Sequence, residues 1–221
     1  MKKKKVFIII GGVVTTLLLI AAIPLMTVGI KTAKLGANYQ YLKTDEKYSA
    51  KVEIEGIELV KQDISCGYAT IEMMSSFYGN KVTEEDLDTK NNGGVSTSSS
   101  AGFLKEIKES IPSKTFVKRA YLKHDKLLKE IHDSLSNNNP VALEWAAKLD
   151  NSWTLHFSLI SALDIKNDNV TVYNPYGYVE NITLKEFIGR TTFNAYKNMP
   201  LFYHYAFAFG MFEKNAIIYA K

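Results

Sequence analysis

The sequence predicts an α+β domain that follows one N-terminal transmembrane helix. Three observations support this class: an uncharged run covers residues 6–30, helical periodicity dominates as far as residue 135, and β-type segments follow Pro140. Helices that precede an antiparallel sheet are typical of α+β folds, in which the two kinds of element are segregated. With 46% hydrophobic residues in a chain of 221, one anchor and one domain with its own core can form.

The N-terminal run contains 25 residues, from Val6 to Ile30, without a charged side chain. A helix of about 20 apolar residues crosses the hydrocarbon core of a membrane. The apolar region of a signal peptide is usually about 7–15 residues long, so we expect an uncleaved anchor rather than a cleaved signal peptide over residues 6–30.

Charges on both sides of this run predict how the chain crosses the cell membrane. Four lysines at positions 2–5 precede the run, and Lys31 and Lys34 follow it. The positive-inside rule then predicts a single-pass protein with residues 1–5 in the cytoplasm and the rest of the chain outside it. Residues 31–50 are polar and are expected to link the anchor to one domain over residues 51–221.

The charge balance limits the class of partner. The formal net charge is +4, and the four N-terminal lysines supply that much alone, so the remainder of the chain is close to neutral. Nucleic-acid binding is therefore not expected. The sequence carries no indication of the oligomeric state.

Hydrophobic periodicity predicts the helices and strands of the domain. Cys66, Ala69, Met73 and Phe77 share one face of a helix that ends at Gly79. The other expected helices begin at residue 84 or cover residues 102–109, 126–135 and 183–188. The expected strands cover residues 116–121, 141–147, 155–163, 170–173, 205–212 and 216–219, and the last two form a hairpin whose alternating aromatic side chains belong to the core. Residues 91–101 are expected to form a flexible loop, either a surface linker or a substrate-facing segment.

Cys66 is the single cysteine of the chain, and it stands at the predicted start of a helix. A free cysteine is often a small buried apolar residue. A helix N-terminus, however, stabilises an anion, so we expect the pKa of the thiol to be lowered and the nucleophilic thiolate to be favoured. Gly67 is expected to let a substrate carbonyl approach the backbone closely. We therefore predict that Cys66 is a catalytic nucleophile.

A nucleophilic cysteine needs a base, and the chain has four histidines. His124 and His132 lie beside or in an amphipathic helix and are expected at the surface, and His204 is expected to be structural. His156 begins the apolar run FSLISAL, where a polar ring needs a hydrogen-bonding partner. We predict that His156 is the base, with a hydrogen-bonded core histidine as the alternative.

Asn174 and Gln62 complete the predicted site. Asn174 ends the strand that follows the strand of His156, so a hairpin would bring the two side by side and let Asn174 orient the imidazole. Its NPYG context suits a turn-forming residue equally well. Gln62, four residues before Cys66, could donate its side-chain amide to an oxyanion, and a surface glutamine is the alternative. No two histidines have the helical spacing of metal ligands, so neither a metal nor another cofactor is expected.

Three patches of the sequence together resemble the C39-type and C39-like peptidases of the papain-like cysteine peptidase group. They are Gln62 with Cys66–Gly67 and Tyr78–Gly79, then Pro140–Val141, and finally His156 with Asn174–Pro175. The resemblance covers about residues 61–190. It implies a papain-like cysteine peptidase fold, with a helical half and an antiparallel sheet, and a peptide or protein substrate.

The resemblance also implies a role for each residue of the predicted site. Cys66 resembles the nucleophile and His156 resembles the base. Asn174 resembles the orienting residue, where the family often has Asp, and Gln62 resembles the oxyanion donor. These roles imply hydrolysis of a peptide bond through a thioester intermediate.

The chain departs from the best-known members of this family, which are fused to export transporters and cleave leader peptides after a double glycine. It has no ATP-binding motif, one predicted membrane span and an expected outward orientation. The double-glycine specificity is therefore not carried over. Two alternatives stay open: an amidase or acyltransferase of the same fold, and a catalytically inactive membrane-tethered binding module.

Overall fold

The computed structural model describes residue 20 and residues 22–149, 152–193 and 200–221. The described residues form helices and a sheet of antiparallel strands, so the predicted α+β class is confirmed. The helices of the domain are α1 (Cys66–Phe77), α2 (Glu84–Lys90), α3 (Ser100–Ser110), α4 (His124–Ser136), α5 (Leu184–Thr191) and α6 (Leu201–Ala208). The strands are β1 (Val52–Glu53), β2 (Phe116–Arg119), β3 (Val141–Leu149), β4 (Ser152–Asp164), β5 (Asn169–Asn174), β6 (Tyr178–Ile182) and β7 (Ala216–Ala220).

The chain before the domain includes a helical segment at residues 22–33. Among the described residues, no helix combines the length and the apolar character that a membrane crossing needs. Residues 6–19 and 21 of the predicted anchor lie outside the described residues, and the anchor stays a prediction. Part of the expected linker, residues 31–50, packs on the domain, where Leu42 and Tyr48 join the main apolar cluster.

The sheet has seven strands in the order β2–β7–β3–β4–β5–β6, and β1 pairs with β4. Strand β4 pairs with β3 from Ser152 to Ile160, but with β5 only from Leu159 onward. On the β5 side of β4, no strand of the described residues therefore pairs with residues 152–158. This unpaired edge contains His156 and Phe157.

Helix α1 is one of the helices that pack on the sheet, and its buried side chains contact β4 within the main apolar cluster. Helix α2 begins as the sequence predicts: Thr83 and Asp86 form a reciprocal capping box. Helices α3, α4 and α5 extend slightly beyond their predicted bounds. His132, expected at the surface, is instead buried in α4 with its ring edge against Tyr48.

The predicted C-terminal hairpin is wrong in its first half, because residues 201–208 form helix α6. Aromatic residues two apart suggest a strand, but the same set is also spaced by four, which suits a helix. Tyr205 and Phe209 stack in this way with ring centroids 6.3 Å apart. Pro200, at the N-terminal cap, favours a helix start because it needs no backbone partner for its nitrogen. The expected aromatic core is also only partly present, since Phe207 is buried and Phe209 is exposed.

Strand β6 is absent from the sequence-based prediction. It pairs with β5 and lies at the edge of the sheet, and most of its side chains are exposed. An edge strand of this kind has no buried face that requires apolar and polar residues to alternate. Hydrophobic periodicity therefore does not indicate a strand here.

The segment at residues 91–99 packs over the start of α1 rather than standing free. Tyr68 Oη donates to the Gly94 carbonyl at 2.6 Å, and Thr97 is buried. A Cβ atom at Gly67 would lie 2.1 Å from Thr97 Oγ1. The close approach of Thr97 is therefore one reason for glycine at this position, and the expected role in admitting a substrate carbonyl stays a prediction.

Replacing Gly67 by alanine should destabilise the domain by about 1–3 kcal/mol, because the new methyl group overlaps Thr97. Gly189 offers a matched control, since it also lies in a helix and its added Cβ would meet nothing within 4 Å. Gly189→Ala should be neutral or stabilise by up to about 1 kcal/mol through helix propensity. Urea unfolding of both variants measures the difference, and equal effects would contradict the packing argument.

Candidate active site

Cys66 is the first residue of α1, and the chain that leads to it is held firmly. Ser65 caps the helix, and its hydroxyl accepts from the Tyr68 N–H at 3.1 Å. The buried Glu84 carboxylate accepts the backbone N–H groups of three successive residues: Asp63 at 3.1 Å, Ile64 at 2.9 Å and Ser65 at 3.0 Å. This carboxylate fixes the turn from which the thiol projects.

The Cys66 sulfur lies against the unpaired edge of β4. The backbone N–H of Phe157 donates to Sγ at 3.5 Å, so the sulfur contacts the residue next to His156. Burial raises the pKa of the Cys66 thiol to about 11, although the N–H groups of Phe157, Gly67 and Cys66 act in the opposite direction. The lowered pKa expected from the helix N-terminus is therefore corrected, because desolvation outweighs the favourable dipole.

His156 and Asn174 meet as the hairpin predicted. The imidazole Nε2 is 2.8 Å from Asn174 Oδ1, and both side chains are buried. The register pairs Leu159 with Tyr173, so His156 and Asn174 are diagonal rather than directly opposite neighbours across β4 and β5. The NPYG turn is also present, because the Asn174 carbonyl accepts the Gly177 N–H at 2.9 Å. Asn174 therefore both contacts the imidazole and begins the turn, and its orienting role in a reaction stays a prediction.

The neighbours of Asn174 determine which way its amide points. Its Nδ2 donates to Glu180 Oε1 at 2.6 Å, and its Oδ1 accepts the Tyr176 N–H at 2.9 Å. A reversed amide would bring NH2 against an N–H and a carbonyl oxygen against a carboxylate. Because Asn174 Oδ1 is an acceptor, His156 Nε2 must carry the proton. The other ring nitrogen, Nδ1, is then left unprotonated in the neutral imidazole.

Arg190 holds Glu180 in place. Its guanidinium donates to both carboxylate oxygens of Glu180, through Nη1 at 2.6 Å and Nη2 at 3.2 Å. Nε donates to the Ala146 carbonyl at 2.6 Å, and the guanidinium carbon lies 3.5 Å from the ring centroid of Trp145. Arg190 is itself buried, so the ion pair is anchored on β3 rather than in solvent.

Burial also determines the charge of the His156 ring. It lowers the pKa of His156 to about 4, whereas the hydrogen bond to Asn174 acts to raise it. The half-buried Tyr176 covers the imidazole, with ring centroids 4.1 Å apart. At neutral pH the site therefore holds an uncharged imidazole and an uncharged thiol. The hydrogen bonds of the described residues do not include one between Cys66 Sγ and the imidazole.

Gln62 is tied to the same turn through its backbone. Its N–H donates to the Pro175 carbonyl at 2.7 Å, which connects the segment before Cys66 to the residue after Asn174. Its side-chain Oε1 is buried without a hydrogen-bond partner. The amide oxygen and nitrogen can exchange places by rotation, so a buried amide end is available at this position.

The structure thus gathers all four sequence-predicted residues around the turn at Asn174 and the unpaired edge of β4. Sequence reasoning missed the residues that support them: Glu84, Tyr176, Glu180 and Arg190. One signal was present, because Arg190 follows the apolar residues Phe187 and Ile188 on the buried side of α5, and a buried charge needs a partner. Among the described residues, no group of three or more His, Cys, Asp or Glu side chains could hold a metal ion.

Comparison with known protein families places this site inside a matched region. The model of the family described as the Peptidase_C39 like family matches residues 54–200, which contain all four predicted site residues. No curated protein matches the chain.

Arg190→Met should destabilise the domain by about 3–5 kcal/mol, since it leaves the Glu180 carboxylate without its cation. Arg119 offers a matched control on the surface, where its Nε is 4.0 Å from Glu130. Arg119→Met should cost at most about 1 kcal/mol. Denaturant unfolding compares the two, and a small, equal loss in both variants would show that the buried pair is not a structural support.

Proposed function

The chain belongs to the Peptidase_C39 like family, and on that premise we propose that it is a membrane-anchored cysteine peptidase with a Cys66–His156–Asn174 site. One observation carries the proposal. Asn174 holds the His156 imidazole through Nε2, and the backbone N–H of the next residue, Phe157, contacts Cys66 Sγ. This arrangement leaves the second ring nitrogen free to accept a proton.

In the proposed reaction, the Cys66 sulfur attacks the carbonyl carbon of a peptide bond and His156 Nδ1 takes the thiol proton. The backbone N–H of Cys66 and the amide of Gln62 stabilise the oxyanion. The imidazolium then gives its proton to the leaving amine, and a thioester with Cys66 remains. His156 next takes a proton from water as the water oxygen attacks the thioester carbon. The C–S bond then breaks, the imidazolium returns its proton to the Cys66 sulfur, and the carboxylic product leaves.

The uncharged resting pair is compatible with this mechanism. A thiol with a neutral imidazole contains the same number of protons as a thiolate with an imidazolium. The pair can therefore pass from one form to the other by an internal proton transfer, without exchange with solvent. The pair holds this number of protons between the pKa of His156, about 4, and the pKa of Cys66, about 11. The proposed reaction requires that substrate binding bring the two groups into hydrogen-bond reach, and such pairs are often loose without substrate.

The proposed location rests on the N-terminal sequence. The 25-residue uncharged run 6–30 is long enough for a helix that crosses a bilayer. The excess of lysines before the run favours a cytoplasmic N-terminus, so the domain acts outside the cytoplasm on a peptide or protein substrate.

Cys66→Ala should abolish cleavage of a peptide mixture, scored as new peptide termini by mass spectrometry with the full chain in detergent. Gln62→Ala should reduce the rate by about 10²–10³-fold, because an oxyanion donor is lost. Ser76→Ala is the matched control, because Ser76 is an exposed residue of the same helix, and it should keep the parental rate.

Three other outcomes would decide against parts of the proposal. Cleavage by Cys66→Ala at the parental rate would remove Cys66 as the nucleophile. Products joined to an added amine, rather than hydrolysed, would indicate an acyltransferase of the same fold. Binding of peptides without any turnover by the parental chain would indicate an inactive binding module.

A further inference from the structure

Helix α6 and the residues after it expose large apolar side chains. The exposed fractions are 63% for Phe202, 64% for Phe209 and 56% for Met211. The inner side of this helix joins a second apolar cluster, separate from the main core and formed by Ala146, Phe193, Ala206, Phe207 and Phe212. Three large exposed apolar side chains beside a small cluster are unusual for a surface that faces only water.

The N-terminal helical segment reaches the same cluster. Val28 packs against it, together with Trp153, Leu155 and Tyr203. On both sides of Val28, this part of the chain exposes apolar side chains. The side chains that are more than half exposed are Ile20, Ile23, Met26 and Ile30. The uncharged run that precedes the domain therefore ends on the cluster that supports α6.

We propose that three exposed apolar side chains, those of Phe202 in α6 and of Phe209 and Met211 directly after it, bind the lipid bilayer. The inference rests on the anchor in the proposed function, because the bilayer lies wherever residues 6–30 cross it. Since that run ends at the α6 cluster, the hydrocarbon of the bilayer is the apolar phase nearest to these side chains.

The chemistry of the neighbouring residues fits a bilayer surface. Phenylalanine is one of the side chains that protein segments at a bilayer surface place about 5–10 Å into the boundary between headgroups and acyl chains. Lys31 and Lys34 follow the uncharged run directly, and lysines at the end of a membrane helix extend their charged groups to the headgroup region. A second copy of the chain is the competing occupant, but it would not account for the position at which the uncharged run joins this cluster.

This face lies beside the candidate active site. Tyr203 of α6 places its hydroxyl 3.3 Å from Thr154 Oγ1, on the unpaired edge of β4. Tyr203 is also close enough to Tyr176 to contribute to the raised pKa of that phenol, which burial raises to about 12. Tyr176 in turn covers the His156 ring. Binding of α6 to lipid would hold the candidate site at the membrane surface.

The test uses the full chain reconstituted in vesicles of equal parts phosphatidylcholine and phosphatidylglycerol, with either ordinary or brominated acyl chains. Bromine quenches the fluorescence of a tryptophan that enters the boundary between headgroups and acyl chains. Phe209→Trp and, independently, Phe202→Trp should lose about half of their added emission in brominated vesicles, because an interfacial ring lies within that boundary. Val95→Trp is the matched control, since Val95 is 48% exposed and lies outside the cluster, and its added emission should not change.

Alkaline carbonate extraction separates the inference from the anchor. A chain that stays in the membrane while neither Phe202→Trp nor Phe209→Trp is quenched overturns the lipid contact and leaves the anchor intact. Equal quenching of Val95→Trp overturns it as well, because the contact would then not be specific to α6. Dimerisation with both new tryptophans unquenched would assign the face to a second copy. A chain that carbonate extracts contradicts the anchor, and the lipid contact with it.

Discussion

The buried ion pair between Arg190 and Glu180 is the interaction on which the geometry of the candidate site depends. Arg190 is fixed on β3 by the Ala146 carbonyl and the Trp145 ring, and it presents Glu180 to the Asn174 amide. The carboxylate can only accept, so it determines the orientation of the amide and, through it, the proton position on His156. A charged pair that reaches the ring only through Asn174 thus selects one tautomer of a neutral base.

The second constraint is the cost of keeping the thiol and the imidazole out of water. Cys66 is half-buried and His156 is buried, and burial shifts the pKa of each toward its neutral form. The helix N-terminus and the Phe157 N–H offset only part of the cost of the thiolate. Glu84 adds a nearby negative charge that also raises the pKa of Cys66, while its carboxylate holds the turn before α1. The same residue therefore fixes the position of the thiol and disfavours its ionisation.

The sequence was sufficient where a local pattern and a tertiary requirement coincide. The apolar face of α1, the Thr83 capping box and the hairpin from His156 to Asn174 all have short-range signals, and each element forms. The sequence was misleading at residues 205–212, where the spacing of the aromatic residues fits both a strand and a helix. Pro200, just before this segment, favours the helix. Long-range contacts had no signal at all. Two examples join segments that are far apart in the sequence. Thr97 packs against Gly67, and the Glu84 carboxylate accepts three backbone N–H groups of the turn before α1.

Whether the Arg190–Glu180 pair selects the tautomer of His156 can be tested by locating the proton on that ring. Long-range proton–nitrogen NMR of the full chain, labelled with nitrogen-15 in its histidines, distinguishes the tautomers, and His156→Gln identifies the signal. At pH 7 we predict a neutral ring with the proton on Nε2. The ring should become an imidazolium only as the pH falls toward the pKa of about 4. A proton on Nδ1, or an imidazolium already formed at pH 7, would contradict it.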